Sequence, residues 1–336
     1  MPSARQQPMA VIGAGSWGTA LAIQLARTGH RTHLWGRDPA HMEAMQRERC
    51  NARYLPDAAF PPALVVAAGL DQALSGVRVA LVAVPSHAFR ATLELIASHL
   101  ADDTRVAWAT KGFEISSGLL PHQVASDVLG ARPGAVLSGP TFAREVGAGL
   151  PTAMTVASRD VDFAKALASR LSGPNFRAYM QSDIIGVEVG GAVKNVIAIG
   201  SGIADGMGFG ANTRVALITR GLAEMMRLGV KIGAARETFM GLAGLGDLVL
   251  SCTDDQSRNR RLGLALGRGQ SMQEAQRAIH QVVEGVPAAR AVCAVAASLA
   301  VEMPICTEVF RIVHEQKPVR EAVQELMGRE MRFEAD

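Results

Sequence analysis

Lys194 and Asn195 stand in the middle of Val187-Glu188-Val189-Gly190-Gly191-Ala192-Val193-Lys194-Asn195-Val196-Ile197-Ala198-Ile199-Gly200, an otherwise largely apolar stretch with helical character. Burial disfavours an ammonium, so a lysine among Val, Ile and Ala needs either a partner or a task. The task that suits it is moving a proton to or from a substrate oxygen. The plainer reading is a lysine that reaches solvent along its own stem. Three other groups can join such chemistry. Lys111 closes the run Arg105-Val106-Ala107-Trp108-Ala109-Thr110-Lys111, where the other reading is a solvated loop lysine. Asp247 sits in Gly244-Leu245-Gly246-Asp247-Leu248, at a glycine-rich helix start where an N-cap is the bland alternative. Ser257-Arg258-Asn259 opens a further helix, and there N–H groups, a hydroxyl and a guanidinium can converge on a phosphate. A capped surface helix with a basic face explains that triplet equally well. Gly139 and Thr141, in the turn Gly139-Pro140-Thr141, offer backbone donors and a hydroxyl to a small polar substrate.

The elements that must hold these groups begin with Met9-Ala10-Val11-Ile12, a short buried-strand pattern. Gly13-Ala14-Gly15-Ser16-Trp17-Gly18 follows at once, and a helix runs on from Thr19. Strand, G-x-G-x-x-G turn and helix in that order form a dinucleotide-binding fingerprint. Gly13 allows the tight turn, Gly15 lets a pyrophosphate approach the backbone, and Gly18 lets helix and strand pack closely. The second strand, Arg31–Trp35, ends in Gly36-Arg37-Asp38. Arg37 suits a ribose 2′-phosphate, which favours NADPH; Asp38 keeps NADH possible, although Asp38-Pro39 reads better as the cap and first residue of a helix.

Further strand patterns are Leu64–Ala67, Val77–Val84, Arg105–Ala109, Ala135–Ser138, Thr152–Ala157 and Phe176–Met180, with an irregular loop over 51–62 and a helix near Val161–Leu171. Near-continuous apolar strands indicate a parallel sheet covered on both faces. From Ile184 the periodicity becomes helical, over Val187–Gly202, Thr213–Leu228, Gly246–Cys252, Arg258–Leu266, Met272–His280, Ala288–Leu299, Ile305–His314 and Val319–Met327. The fold class is therefore α/β, an N-terminal Rossmann-type doubly wound sheet over residues 1–183 followed by an all-α domain over 184–336. The active site belongs in the cleft between them.

Composition narrows the function. Lys+Arg 34 against Asp+Glu 31, and 4% aromatic residues, give no basic surface for nucleic acid. Cys50, Cys252, Cys293 and Cys306 form no C-x-x-C pair, so neither a metal site nor a redox dithiol is expected. The N-terminal residues carry no long apolar run, and no apolar stretch has membrane-spanning length, so a cytoplasmic protein is expected.

Together these segments resemble the prokaryotic type of NAD(P)-dependent glycerol-3-phosphate dehydrogenase. The resemblance spans nearly the whole chain and is carried by 13–18, 109–112, 137–143, 191–195, 244–247, 257–259 and Val282-Val283-Glu284-Gly285. It implies that Ser16, Trp17, Arg37, Ala143, Val282 and Glu284 contact the cofactor, with Lys111 and Arg258 reaching both cofactor and substrate. It implies further that Gly139, Thr141, Asp247, Ser257 and Asn259 hold dihydroxyacetone phosphate or glycerol 3-phosphate, and that Lys194 is the acid/base. A role in supplying phospholipid synthesis comes from the resemblance alone. A homodimer is expected only because dimers are the commonest assembly. Two rivals stand beside this reading. One is a 3-hydroxyacid dehydrogenase or ketopantoate-type reductase of similar build; the other is a non-catalytic NADPH-binding redox sensor.

Overall fold

Met9–Ile12 (β1) and Val79–Val82 (β6) are four-residue apolar strands buried at every position, as central strands of a sheet covered on both faces are. The structure, a computed structural model, describes residues 7–279, 281–330 and 333. The remaining strands are Thr32–Trp35 (β2), Cys50–Asn51 (β3), Leu55–Ala59 (β4), Leu64–Val66 (β5), Arg105–Trp108 (β7), Gly134–Ser138 (β8), Thr152–Ala157 (β9) and Phe176–Gln181 (β10). Eight of them form one sheet in the order β10-β9-β8-β7-β6-β1-β2-β5. The chain reverses its direction of travel across the sheet at β1, which lies between β2 and β6 and pairs in parallel with both. Ligands of open α/β sheets bind at the carboxyl ends of the strands beside such a point.

The helices of this half are Ser16–Arg27 (α1), Pro39–Glu48 (α2), Leu70–Leu74 (α3), Phe89–Ala97 (α4), Pro121–Leu129 (α5), Ala143–Ala148 (α6) and Val161–Leu171 (α7). They cover both faces, one core lying under α1 and α7 and another under α3, α4 and α5. Asp38 caps α2 through the backbone N–H of His41, as the Asp-Pro pair predicts. Two expectations change. Residues 51–62 are not irregular throughout, because β3 and β4 pair as an antiparallel hairpin. Pro56 is tolerated there because the ribbon has only two strands and both edges are free of a third. The sheet is also not wholly parallel: β9 runs antiparallel to β8, and β10 follows β9. The link between β8 and β9 contains only the six-residue α6, which packs on α1.

The second half is helical: Ile184–Gly206 (α8), Ala211–Ile232 (α9), Asp247–Thr253 (α10), Arg258–Gly267 (α11), Met272–Ile279 (α12), Gly285–Ser298 (α13), Pro304–Glu315 (α14) and Val319–Met327 (α15). His280, the expected end of α12, lies outside the described residues, as do residues 1–6 at the chain start. α8 begins earlier than its apolar pattern suggests, because the Asp183 carboxylate accepts the Gly186 N–H at 2.9 Å. The other Asp183 oxygen accepts from Ala235 N and Thr238 Oγ1, fixing the helix start to the segment after α9. α8 is buried along nearly its whole length and touches α9, α10, α11, α13 and α14. Among the described residues it alone has the length and hydropathy to cross a membrane, and it is the core of this bundle instead.

Candidate active site

The fingerprint turn is built as its three glycines require. A Cβ on Gly13, whose φ is +119°, would lie 2.4 Å from the Ala83 carbonyl oxygen. One on Gly18 would lie 1.9 Å from the Gly13 oxygen, whereas one on Gly15 would meet nothing within 4 Å. The open side of the turn is thus at Gly15, where α1 starts with no side-chain cap. Backbone N–H groups and the positive end of the helix face that opening, a seat for a pyrophosphate. The Trp17 indole Nε1 beside it is buried and has no hydrogen-bond partner. Arg37 follows β2, is exposed, and pairs with no other described residue. Asp38 is engaged as the cap of α2. These features fit a dinucleotide.

Across the crevice, Lys194 is 8% exposed and its amine meets one Asp247 oxygen, Oδ1. It also lies 2.9 Å from Ser251 Oγ. Lys111 Nζ reaches the other Asp247 oxygen, Oδ2, at 2.6 Å. One buried carboxylate therefore holds two amines, and neither lysine is the solvated side chain that its local sequence allows. The Lys194 ammonium has three N–H groups, two of which are engaged, so one remains for a substrate oxygen. Burial is the main reason its pKa falls from 10.5 to about 8. Asp247 pulls it back up, Lys111 pushes it down as a like charge, and Glu284 raises it slightly.

Two glycines of α8 let these groups meet. A Cβ on Gly190 would lie 2.4 Å from the Ala243 carbonyl oxygen. One on Gly191 would press the Lys111 Cγ and Cδ at 3.3 and 3.4 Å. Asp247 is not a side-chain N-cap. It is the first residue of α10, delivered by a single π-helical turn over Leu242–Gly246. Such turns re-aim side chains at functional sites. Ser251 lies four residues further on, on the same face of α10, a spacing readable in the sequence but not singled out there.

The segment Ser257-Arg258-Asn259 starts α11, with Ser257 Oγ accepting the Arg260 N–H. Arg258 is half-buried and pairs with no described residue. Asn259 is buried and already committed: its Nδ2 donates to Asn195 Oδ1, and its Oδ1 accepts from Gly285 N. That relay joins the residue after Lys194 to the starts of α11 and α13. It gives Asn195 a role that the sequence did not reveal. Glu284 precedes α13 close to Lys194, and Val282 is 52% exposed. Gly139 has a φ of +147°, which favours glycine, and Thr141 Oγ1 donates to the Gly139 carbonyl at 3.3 Å. Ala143 begins α6 at the same strand end. No cluster of three His, Cys, Asp or Glu side chains able to hold a metal occurs among the described residues.

A dinucleotide-type sheet facing a buried, carboxylate-held lysine on a helical bundle defines a two-domain nicotinamide-dependent dehydrogenase. The sequence profiles for the N-terminus and C-terminus of NAD-dependent glycerol-3-phosphate dehydrogenase match residues 8–164 and 183–324. The chain belongs to that family. It is 57% identical over 330 residues to the glycerol-3-phosphate dehydrogenase [NAD(P)+] of Thioalkalivibrio sulfidiphilus, covering 98% of this chain and 99% of the relative. The crystal structure of glycerol-3-phosphate dehydrogenase from Coxiella burnetii superposes with a TM-score of 0.93 at 49% identity, covering 96% of this chain and 99% of that one. A ketopantoate reductase from Ralstonia eutropha gives a TM-score of 0.59 at 15% identity, covering 94% and 99%, which is a likeness of fold only.

Proposed function

We propose that this enzyme reduces dihydroxyacetone phosphate to glycerol 3-phosphate, reversibly, with NADPH as the preferred cofactor and NADH as an alternative. The observation that carries the reading is Lys194, buried and held by Asp247, with Lys111 on the opposite carboxylate oxygen. The start of α1 with Ser16 and Trp17 would hold the pyrophosphate, and Arg37 the 2′-phosphate, with Ala143, Val282, Glu284 and Arg258 completing the cofactor site. A bound reduced nicotinamide supplies the hydride. The substrate phosphate takes the start of α11, where Arg258 and Asn259 present backbone N–H groups, Ser257 its hydroxyl, and Arg258 a guanidinium that pairs with no described residue. Gly139 and Thr141 line the rest of the pocket. As charge develops on the carbonyl oxygen, the free N–H of the Lys194 ammonium donates its proton there. Lys111 stabilises the same oxygen electrostatically, and Asp247 holds both amines at fixed positions. In the reverse direction neutral Lys194 accepts the proton.

The supply of glycerol 3-phosphate to phospholipid synthesis fits this direction. We also place the division between the nucleotide-binding and substrate-binding parts after residue 183, and propose a homodimer in the cytoplasm. A redox sensor has no use for two lysines on one buried carboxylate. A carboxylate substrate, as in the ketopantoate-type reductases, would leave the start of α11 without an evident ligand. Initial rates of NADPH and NADH oxidation with dihydroxyacetone phosphate, beside ketopantoate and 3-oxo acids, test the proposal. Turnover of the phosphorylated ketone is expected, and turnover of only the carboxylates would overturn it.

A further inference from the structure

Glu188 is a second ionisable side chain inside the apolar stretch of α8, buried to 3% exposure, and the chemistry above does not use it. Its Oε1 accepts the Trp108 indole N–H at 2.8 Å and the His122 backbone N–H at 2.9 Å. Its Oε2 lies 2.6 Å from His122 Nδ1. A buried carboxylate is costly unless its lone pairs are met, and here three donors meet them. Desolvation still raises its pKa, opposed by these contacts. The partners are placed with a consequence. Trp108 ends β7, three residues before Lys111. His122 lies in the first turn of α5, packed against the same part of the sheet. Glu188 itself is six residues before Lys194 on a rigid helix.

We propose that Glu188 is a positioning residue: it fixes the strand end that carries Lys111 to the helix that carries Lys194, so that both amines reach one Asp247 carboxylate. This rests on the reductase reading. The neighbouring contacts hold the Lys111 segment in the same way. Thr110 Oγ1 donates to the Val84 carbonyl at 2.7 Å, and Glu114 takes two hydrogen bonds at 2.9 Å from Arg90. Among the described residues, the hydrogen bonds that join this segment and the start of α5 to α8 are those of Glu188. A shift of about 1 Å at a reacting centre costs on the order of 10²-fold in rate.

The test uses the full chain and compares kcat and KM for Glu188→Leu, Glu188→Gln and His122→Ala, each per folded molecule. Glu188→Leu removes every acceptor, and kcat is expected to fall at least about 10-fold with KM for NADPH unchanged. In Glu188→Gln the amide oxygen still accepts from Trp108 and His122 N. Its NH2 can donate to His122 Nδ1 in the other tautomer, so kcat is expected to recover to within about 3-fold of wild type, the hydrogen-bonded clasp being kept. His122→Ala, at a partly exposed site, is expected to lower kcat several-fold and decides the matter if the leucine variant does not fold. Wild-type kcat in Glu188→Leu or in His122→Ala overturns the proposal, even if thermal stability drops. So does an equal loss in the leucine and glutamine variants. A wild-type chain without turnover of dihydroxyacetone phosphate overturns the reductase reading and the clasp with it; full turnover throughout overturns the clasp alone.

Discussion

At the scale of single residues, the decisive fact is that Asp247 offers one oxygen to each lysine. Removing the proposed proton donor alone should leave binding largely intact. Lys194→Ala is expected to lose about 10²–10⁴-fold in kcat, with NADPH affinity close to wild type by fluorescence titration. The pKa of about 8 sets the direction of the pH effect. Ketone reduction needs the ammonium, so its rate should fall as pH rises through that value. Glycerol 3-phosphate oxidation needs the free amine, so its rate should fall as pH drops below it. Opposite limbs in the two kcat profiles check this, and parallel limbs would remove Lys194 from the proton step. Arg37, exposed and unpaired among the described residues, should matter only to a cofactor with a third phosphate. Arg37→Ala is expected to raise KM for NADPH roughly 10-fold or more, as lost charge-assisted phosphate contacts do, with NADH little changed. Equal effects on both cofactors would refute the assignment.

At the scale of elements, the proposed phosphate seat depends on how closely α11 approaches α8. Gly202 and Gly206 on α8 face Gly263 and Gly267 on α11, four residues apart on each helix. A Cβ on Gly263 would lie 2.0 Å from the Ile199 carbonyl oxygen, and one on Gly202 2.1 Å from that of Arg260. Alanine at position 263 gains about 1 kcal/mol of helix propensity over glycine but must push two backbones apart, an overpacking cost of about 1–3 kcal/mol or more. Gly263→Ala is therefore expected to be destabilised in urea titration and to show a raised KM for the phosphorylated substrate. Increased stability would show that the helices separate freely. The hairpin of β3 and β4 and the π-turn before Asp247 belong to this scale too. Neither was legible, because one is a two-stranded ribbon with little alternation and the other a change in helical pitch without a residue signature.

At the scale of the whole molecule, the open start of α1 exists only in the folded chain, so the dinucleotide should bind the folded chain and not the unfolded one. NADPH at about 100 times its Kd should add about 2.7 kcal/mol to stability, a rise of several degrees in Tm. Lys194→Ala should keep that rise in a thermal-shift assay; losing it would mean that the lysine contributes to cofactor binding. The strand–turn–helix fingerprint, all eight strands of the main sheet, and the change to helical periodicity at Ile184 were legible along the chain alone. These follow from side-chain spacing and backbone freedom within a few residues of one another. The sequence also singled out Lys111, Lys194 and Asp247, but left each with a bland reading. The tertiary structure decided between the readings, because Lys111 lies 136 residues from Asp247, and Lys194 lies 53 from it. It also decided the fate of Glu188, whose partners stand 80 and 66 residues away. Whether a buried charge is a liability or an instrument depends on which donors and acceptors packing brings within about 3 Å of it. No spacing along the chain encodes that distance.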